Sequence, residues 1–124
     1  MQQPAWNVFS PTCPTRQVLN RVADKWTVMI VVSLAGGTQR FGALLRQIDG
    51  ISQKVLTQKL REMERDGLVN RRVYASVPPK VEYTLTPLGA SLIDMLDLVR
   101  RWSETRIVEI LEAQASYDAR AGEP

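Results

Sequence analysis

Between residues 51 and 86 the apolar spacing changes once, from the period of a helix to that of a strand, and this change limits what the chain can fold into. Leu56, Leu60 and Met63 recur at i, i+4 and i+7, which is one buried face of a helix over residues 52–66. Ser52 stands at the N-cap position, Ile51 and Leu56 occupy the two positions of a hydrophobic staple, and Gly67 is a C-terminal stop. Immediately afterwards "LVNRRVYAS" and "VEYTLT" read as two strands, with Val81, Tyr83 and Leu85 on one side of the second. The intervening "VPPK" cannot be strand interior, because proline donates no ladder hydrogen bond. The sequence therefore predicts a helix followed at once by an antiparallel hairpin with a Pro-rich, basic tip.

The charges of that helix run against its dipole. Lys54 lies in the first turn, and Glu62, Glu64 and Asp66 lie in the last two. A helix on its own is stabilised by the opposite placement. A polyanion beside the first turn would account for it, since phosphate is attracted both by Lys54 and by the free N–H groups there.

Upstream, "CP" opens a first helix with Pro14 at the favoured first position and Val18, Leu19 and Val22 as its buried stripe. "KWTVMIVVSLAGG" is a second helix, apolar nearly all round and so central to the core. Arg40 and Phe41 form a very short strand, and "FGALLRQIDG" is a third short helix ending in a turn. Downstream, Thr86 and Pro87 start a helix expected to run unbroken to about Gln114. At 1.5 Å per residue it is roughly 40 Å long, more than the diameter of a small domain. Its apolar stripe is wider than one such domain needs to cover. The expected division is an N-terminal arm over residues 1–12, one domain over residues 13–114 with residues 87–114 as a dimerisation helix, and a flexible tail over residues 115–124.

Composition narrows the function. The 124 residues contain no histidine and one cysteine, Cys13, which excludes His-based acid–base and nucleophile pairs, His-containing metal sites and internal disulfides. No catalytic, cofactor or metal site is expected, and the chain is not expected to be an enzyme. No apolar run is long enough to span a bilayer and the opening residues lack the pattern of a secretory leader, so the expected location is the cytoplasm. The net charge of +3 is unevenly spread: residues 40–61 carry +4, residues 68–81 carry +3, and the rest sums to −4. Positive charge gathered in the middle of the chain suits a polyanion on one face.

The element order is helix, helix, short strand, helix, helix, hairpin, long helix. The third and fourth helices make a helix-turn-helix whose second member enters the major groove. Gln53, Lys54, Thr57, Gln58 and Arg61 lie off its buried face, and these residue types pair with base edges or phosphate. Arg40, Ser52, Arg71, Arg72 and Lys80 are the expected phosphate contacts.

"DKWTVMIVVSL", "ISQKVLTQKLREMERDGLV" and "VPPKVEYTLTPLGASL", with "CP" before the first helix, resemble the HxlR-type winged helix-turn-helix transcriptional regulators of the MarR-like superfamily, over about residues 13–102. The fold class implied is mainly α with a small β-hairpin wing. The resemblance implies a cytoplasmic homodimer on a palindromic DNA operator, joined through its first and last helices with the arm assisting; the expected action is that of a repressor, with an activator as the alternative. The interface residues expected are Trp6, Phe9, Leu92, Met95, Leu96, Val99, Trp102, Ile107 and Leu111. In several such regulators the cysteine before the first helix senses quinones, electrophiles or oxidants. Cys13 would sit at a helix N-cap, where the dipole lowers a thiol pKa, with Arg16 one turn away; the alternative is a small residue with no signalling task. Two other readings stay open. One is a winged helix that docks an acidic protein. The other is a regulator with a non-covalent ligand at the dimer seam, near Trp6, Trp26 and Trp102.

Overall fold

The computed structural model describes residues 5–122 of the chain. The helices are α1 (Pro14–Val22), α2 (Lys25–Leu34), α3 (Phe41–Gln47), α4 (Gln53–Arg65), α5 (Pro87–Ala90) and α6 (Ile93–Arg120). Strands β1 (Gln39–Arg40), β2 (Val69–Tyr74) and β3 (Lys80–Leu85) form one antiparallel sheet in the order β1-β3-β2. The expected hairpin is present, and β1 adds a third strand, pairing Gln39 with Tyr83 and Arg40 with Glu82.

Local chemistry explains the boundaries. Asp24 accepts from the amides of Trp26 and Thr27 and so starts α2 directly after α1. Ser52 Oγ accepts from Val55 N at 3.1 Å, while Ile51 and Leu56 are both buried, as the staple requires. At the far end of α4, Gly67 takes φ +78°, Leu68 N donates to Met63 O, and Gly67 N donates to Glu64 O. This is a Schellman motif, and it turns the chain straight into β2.

The core is built on α2, whose Thr27, Ile30, Val31 and Leu34 are buried. Around it pack Leu44 of α3 and Ile48 at its C-cap, Leu56, Leu60 and Met63 of α4, Val69 and Tyr83 of the sheet, and Leu96 of α6. The three α4 residues are the ones its period predicts.

Four expectations are corrected. The C-terminal helix is not continuous: a turn at Ser91 and Leu92 separates α5 from α6. There the Ser91 hydroxyl donates to Leu88 O, and Leu92 N reaches only three residues back, to Gly89 O. Local side-chain bonding of this kind competes with the helix. Residues 115–120, expected in a flexible tail, continue α6 to Arg120, where Ala121 N closes the last turn on Tyr117 O. Val18 and Leu19 do not form a buried stripe; α1 buries none of its residues, because little beyond α2 packs against it. Finally, Leu96 is 3% exposed within its own protomer, so it is a core residue and no contact for a second copy.

Candidate nucleic-acid interface

Helices α3 and α4 are joined by a five-residue turn in which Gly50 takes φ +88° and Ile51 N donates to Ile48 O. Burial of Leu56, Leu60 and Met63 fixes how α4 is rotated about its axis. It turns Gln53, Lys54, Thr57, Gln58 and Arg61 outward, where they line one shallow surface. Thr57 Oγ1 donates to Gln53 O and Gln58 Nε2 lies 3.4 Å from Glu62 Oε1, so both are held within α4. Among the described residues Lys54 and Arg61 take part in no ion pair, as do Arg40, Arg71, Arg72 and Lys80.

The wing extends this surface with only part of its charge. Successive strand residues point to opposite faces, so Arg71 and Arg72, expected together, are separated. Arg71 is opposite Tyr83 and shares a cleft of about 210 Å³ with Thr57, Arg61 and Glu64. It continues the α4 surface onto β2. Arg72 lies with its guanidinium carbon 4.7 Å from the Tyr74 ring centroid, and Lys80 Nζ lies 5.8 Å from the same ring. Tyr74 Oη donates to Glu82 Oε2 at 3.0 Å. The two outer-face cations are thus held against one aromatic ring. The alternation in "NRRVY" is the signal that separates them. The tip at residues 75–79 is exposed and carries no charge; its expected basic residue, Lys80, begins β3 instead. Arg40 is the exposed N-cap residue of α3.

Lys59, Glu62 and Asp66 face elsewhere, whereas Glu64 lines the cleft with Arg71. Arg21 Nη1 is 2.7 Å from Glu62 Oε2 and Arg21 Nε pairs with Asp66. Lys59 Nζ lies 3.5 Å from Asp24 Oδ1. The Asp66 hydrogen bond, with the charges of Asp66 and Glu62, holds the Arg21 guanidinium above its ordinary pKa. Two of the three acids at that end of α4 are therefore paired with α1, a partner that lies 41 residues or more away and that no local pattern announces.

Cys13 is the N-cap residue of α1, as expected, and is half-buried. Thr15 Oγ1 lies 3.0 Å from its sulfur and Asn7 N donates to it at 3.3 Å. The Thr15 hydroxyl, then the amides of Thr15 and Asn7, holds the thiol below its usual value against the opposing effect of burial. Arg16 does not assist: its guanidinium donates to Phe9 O.

The apolar side chains expected at a dimer seam divide. Trp6, Phe9, Met95, Val99, Trp102, Ile107 and Leu111 are all exposed, Phe9 by 86%, whereas Leu92 packs partly against the core. Trp26 also packs on the core, with Lys25 over its ring, and so does not join Trp6 and Trp102 in one exposed cluster. A largely apolar cleft of about 670 Å³ lies instead between α2, the end of α3 and α6, floored by Val28, Met29, Val32, Ile48 and Val99.

A helix-turn-helix with a β-hairpin wing and an outward basic surface defines a winged-helix domain of the kind that meets DNA. Residues 21–110 match the model of the HxlR-like helix-turn-helix family, and the chain belongs to that family. The HTH-type transcriptional regulator YtfH of Escherichia coli (strain K12) is 45% identical over 105 residues, covering 85% of this chain and 83% of that one. The solved transcriptional regulator YtfH from Salmonella typhimurium matches with a TM-score of 0.85 and 41% identity, over 90% of this chain and 99% of the other. The redox regulator HypR in its reduced form matches with a TM-score of 0.71 and 37% identity, over 81% and 98%. The chain is accordingly a helix-turn-helix transcriptional regulator and not an enzyme. No helix among the described residues is long and apolar enough to cross a membrane.

Proposed function

We propose that this regulator is a repressor that binds a palindromic operator as a homodimer in the cytoplasm, each copy placing α4 in the major groove. In this reading Gln53, Thr57, Gln58 and Arg61 reach base edges. Lys54, Ser52 and Arg40 hold phosphate beside the start of the helix-turn-helix, and Arg71, on the wing face that continues the α4 surface, holds it at the wing. The observation that carries the reading is the division of charge on α4: Lys54 and Arg61 have no ion-pair partner among the described residues, while Glu62 and Asp66 are both paired with Arg21. The exposed apolar side chains of α1, α6 and the arm support the dimer. Footprinting on duplexes selected from a random pool tests it. Protection of two symmetric half-sites, with relaxed base preference in Gln58→Ala, is the expected result; protection of a single asymmetric site contradicts the palindrome.

A second reading, control by thiol chemistry, is favoured by the Cys13 environment and by the likeness to HypR, a redox regulator. The Cys13 thiolate adds to an electrophilic carbon, or two thiolates from two copies give two electrons to an oxidant and join as a disulfide. A footprint that a quinone alters in the wild type but not in Cys13→Ser supports it. A footprint unchanged in the wild type refutes it.

A further inference from the structure

Helix α1 is attached to its own protomer in an unusual way. It buries none of its residues, and Val18 and Leu19 face outward. Its last turn is instead held by charge. Arg21 bonds both Glu62 and Asp66, and Lys59 joins the same group, 3.5 Å from Asp24 and 3.8 Å from Glu62. Asp24 in turn caps α2. These five side chains are only 21–28% exposed, so water and salt screen them less than they screen the surface pairs of α6. Both acceptors of Arg21 lie at the C-terminal end of α4, beyond Arg61, the last of the residues proposed above to reach base edges.

We infer that Arg21 is a positioning residue for operator recognition: it fixes the angle between α4 and α1, and through α1 the separation of the two copies' α4 helices. The inference rests on the dimer proposed above, in which α1 contributes to the seam. Operator half-sites must match the separation of the two reading helices, about one helical turn of DNA or a multiple of it. Helix α4 spans 13 residues, about 20 Å. A tilt at its acidic end therefore displaces its first turn without altering any side chain that faces DNA. A slack clamp leaves each half-site contact intact and blurs the spacing between them.

The test compares wild type, Arg21→Ala, Arg21→Lys and the double variant Glu62→Gln with Asp66→Asn. Each is measured on the wild type's selected operator, on versions with one or two base pairs inserted at its centre, and on an isolated half-site. Sedimentation gives the oligomeric state of each protein, and far-UV circular dichroism checks that each is folded. Arg21→Ala and the double variant are expected to bind the operator roughly 3- to 30-fold more weakly and to discriminate less between spacings. Half-site affinity is expected to stay unchanged, and Arg21→Lys to restore part of the loss. A folded, dimeric Arg21→Ala with the wild-type spacing profile overturns the role of Arg21 alone. A wild type that is monomeric on its operator overturns the dimer reading and this inference with it.

Discussion

The arginines of α6 and those of the helix-turn-helix and wing stand in opposite circumstances. On α6, Arg100 bonds Asp97 and Glu104, Arg101 bonds Asp97, and Arg106 bonds Glu109, all on the same helix. Arg100, then Arg101, holds the Asp97 carboxyl below its ordinary range. The same helix leaves Met95, Val99, Trp102, Ile107 and Leu111 exposed. Across the helix-turn-helix and wing the pattern reverses: Lys54, Arg61 and Arg71 have no ion pair among the described residues, and the apolar side chains of α4 are buried. One region satisfies its charge and leaves its apolar surface unmet. Helix α4 buries its apolar stripe and leaves its outward cations unmet. An apolar partner suits the first, and a polyanion suits the second.

The largest expected effect breaks the join between the two regions. Gly89 of α5 sits against the hairpin base, where an added Cβ would lie 2.0 Å from Leu68 O. That neighbour is backbone, so Gly89→Ala forces α5 off the sheet. The expected cost is about 3 kcal/mol, the upper part of the range for overpacking, read as a lowered denaturant midpoint. A midpoint within error of the wild type would mean that the two regions are not rigidly joined there.

Next in size is the apolar surface. Trp102→Glu on α6, at a side chain 58% exposed in the protomer, is expected to weaken self-association by about 2 kcal/mol, the threshold for a hot-spot residue. Sedimentation across a dilution series measures it, with Arg106→Ala as the control expected to leave association unchanged. Equal effects from the two variants would remove the distinction between apolar and charged surface on α6.

The smallest effect concerns Cys13. Its lowered pKa keeps thiolate present at a lower pH than in a free thiol, so alkylation by iodoacetamide should persist there and fall away as pH drops through the folded value. Thr15→Val removes the principal cause and should move the midpoint of the rate profile upward. An unmoved midpoint would show that the Thr15 hydroxyl, 3.0 Å from the sulfur, does not stabilise the thiolate.

Much of this is legible in the sequence because its signals are local. Ser52, Ile51, Leu56 and Gly67 delimit α4 by bonds and contacts within one turn of themselves, and period-two alternation places Tyr83 inward. What the sequence hides depends on distant partners. Nothing near Arg21 indicates that it meets Glu62 and Asp66, so the sequence explains the reversed charges of α4 by a polyanion at its first turn alone, whereas α1 also pairs with two of its acids. Leu96 falls beside Met95 in an apolar stripe, because a helix apolar on several sides does not reveal which side its own core takes. The glycine of "TPLG" reads as an ordinary helix residue, and its close approach to Leu68 O appears only once the hairpin base is in place.

The most direct test of the account is the salt dependence of operator binding. Lys54→Ala with Arg61→Ala should weaken binding and reduce the slope of log K against log salt by about 1, for the phosphate that Lys54 leaves unneutralised. Arg101→Ala with Arg106→Ala, which removes two cations already neutralised on α6, should leave the slope where it was. A slope lowered equally by both pairs, or by neither, would contradict the claim that the unpaired cations of α4 are the ones that meet DNA.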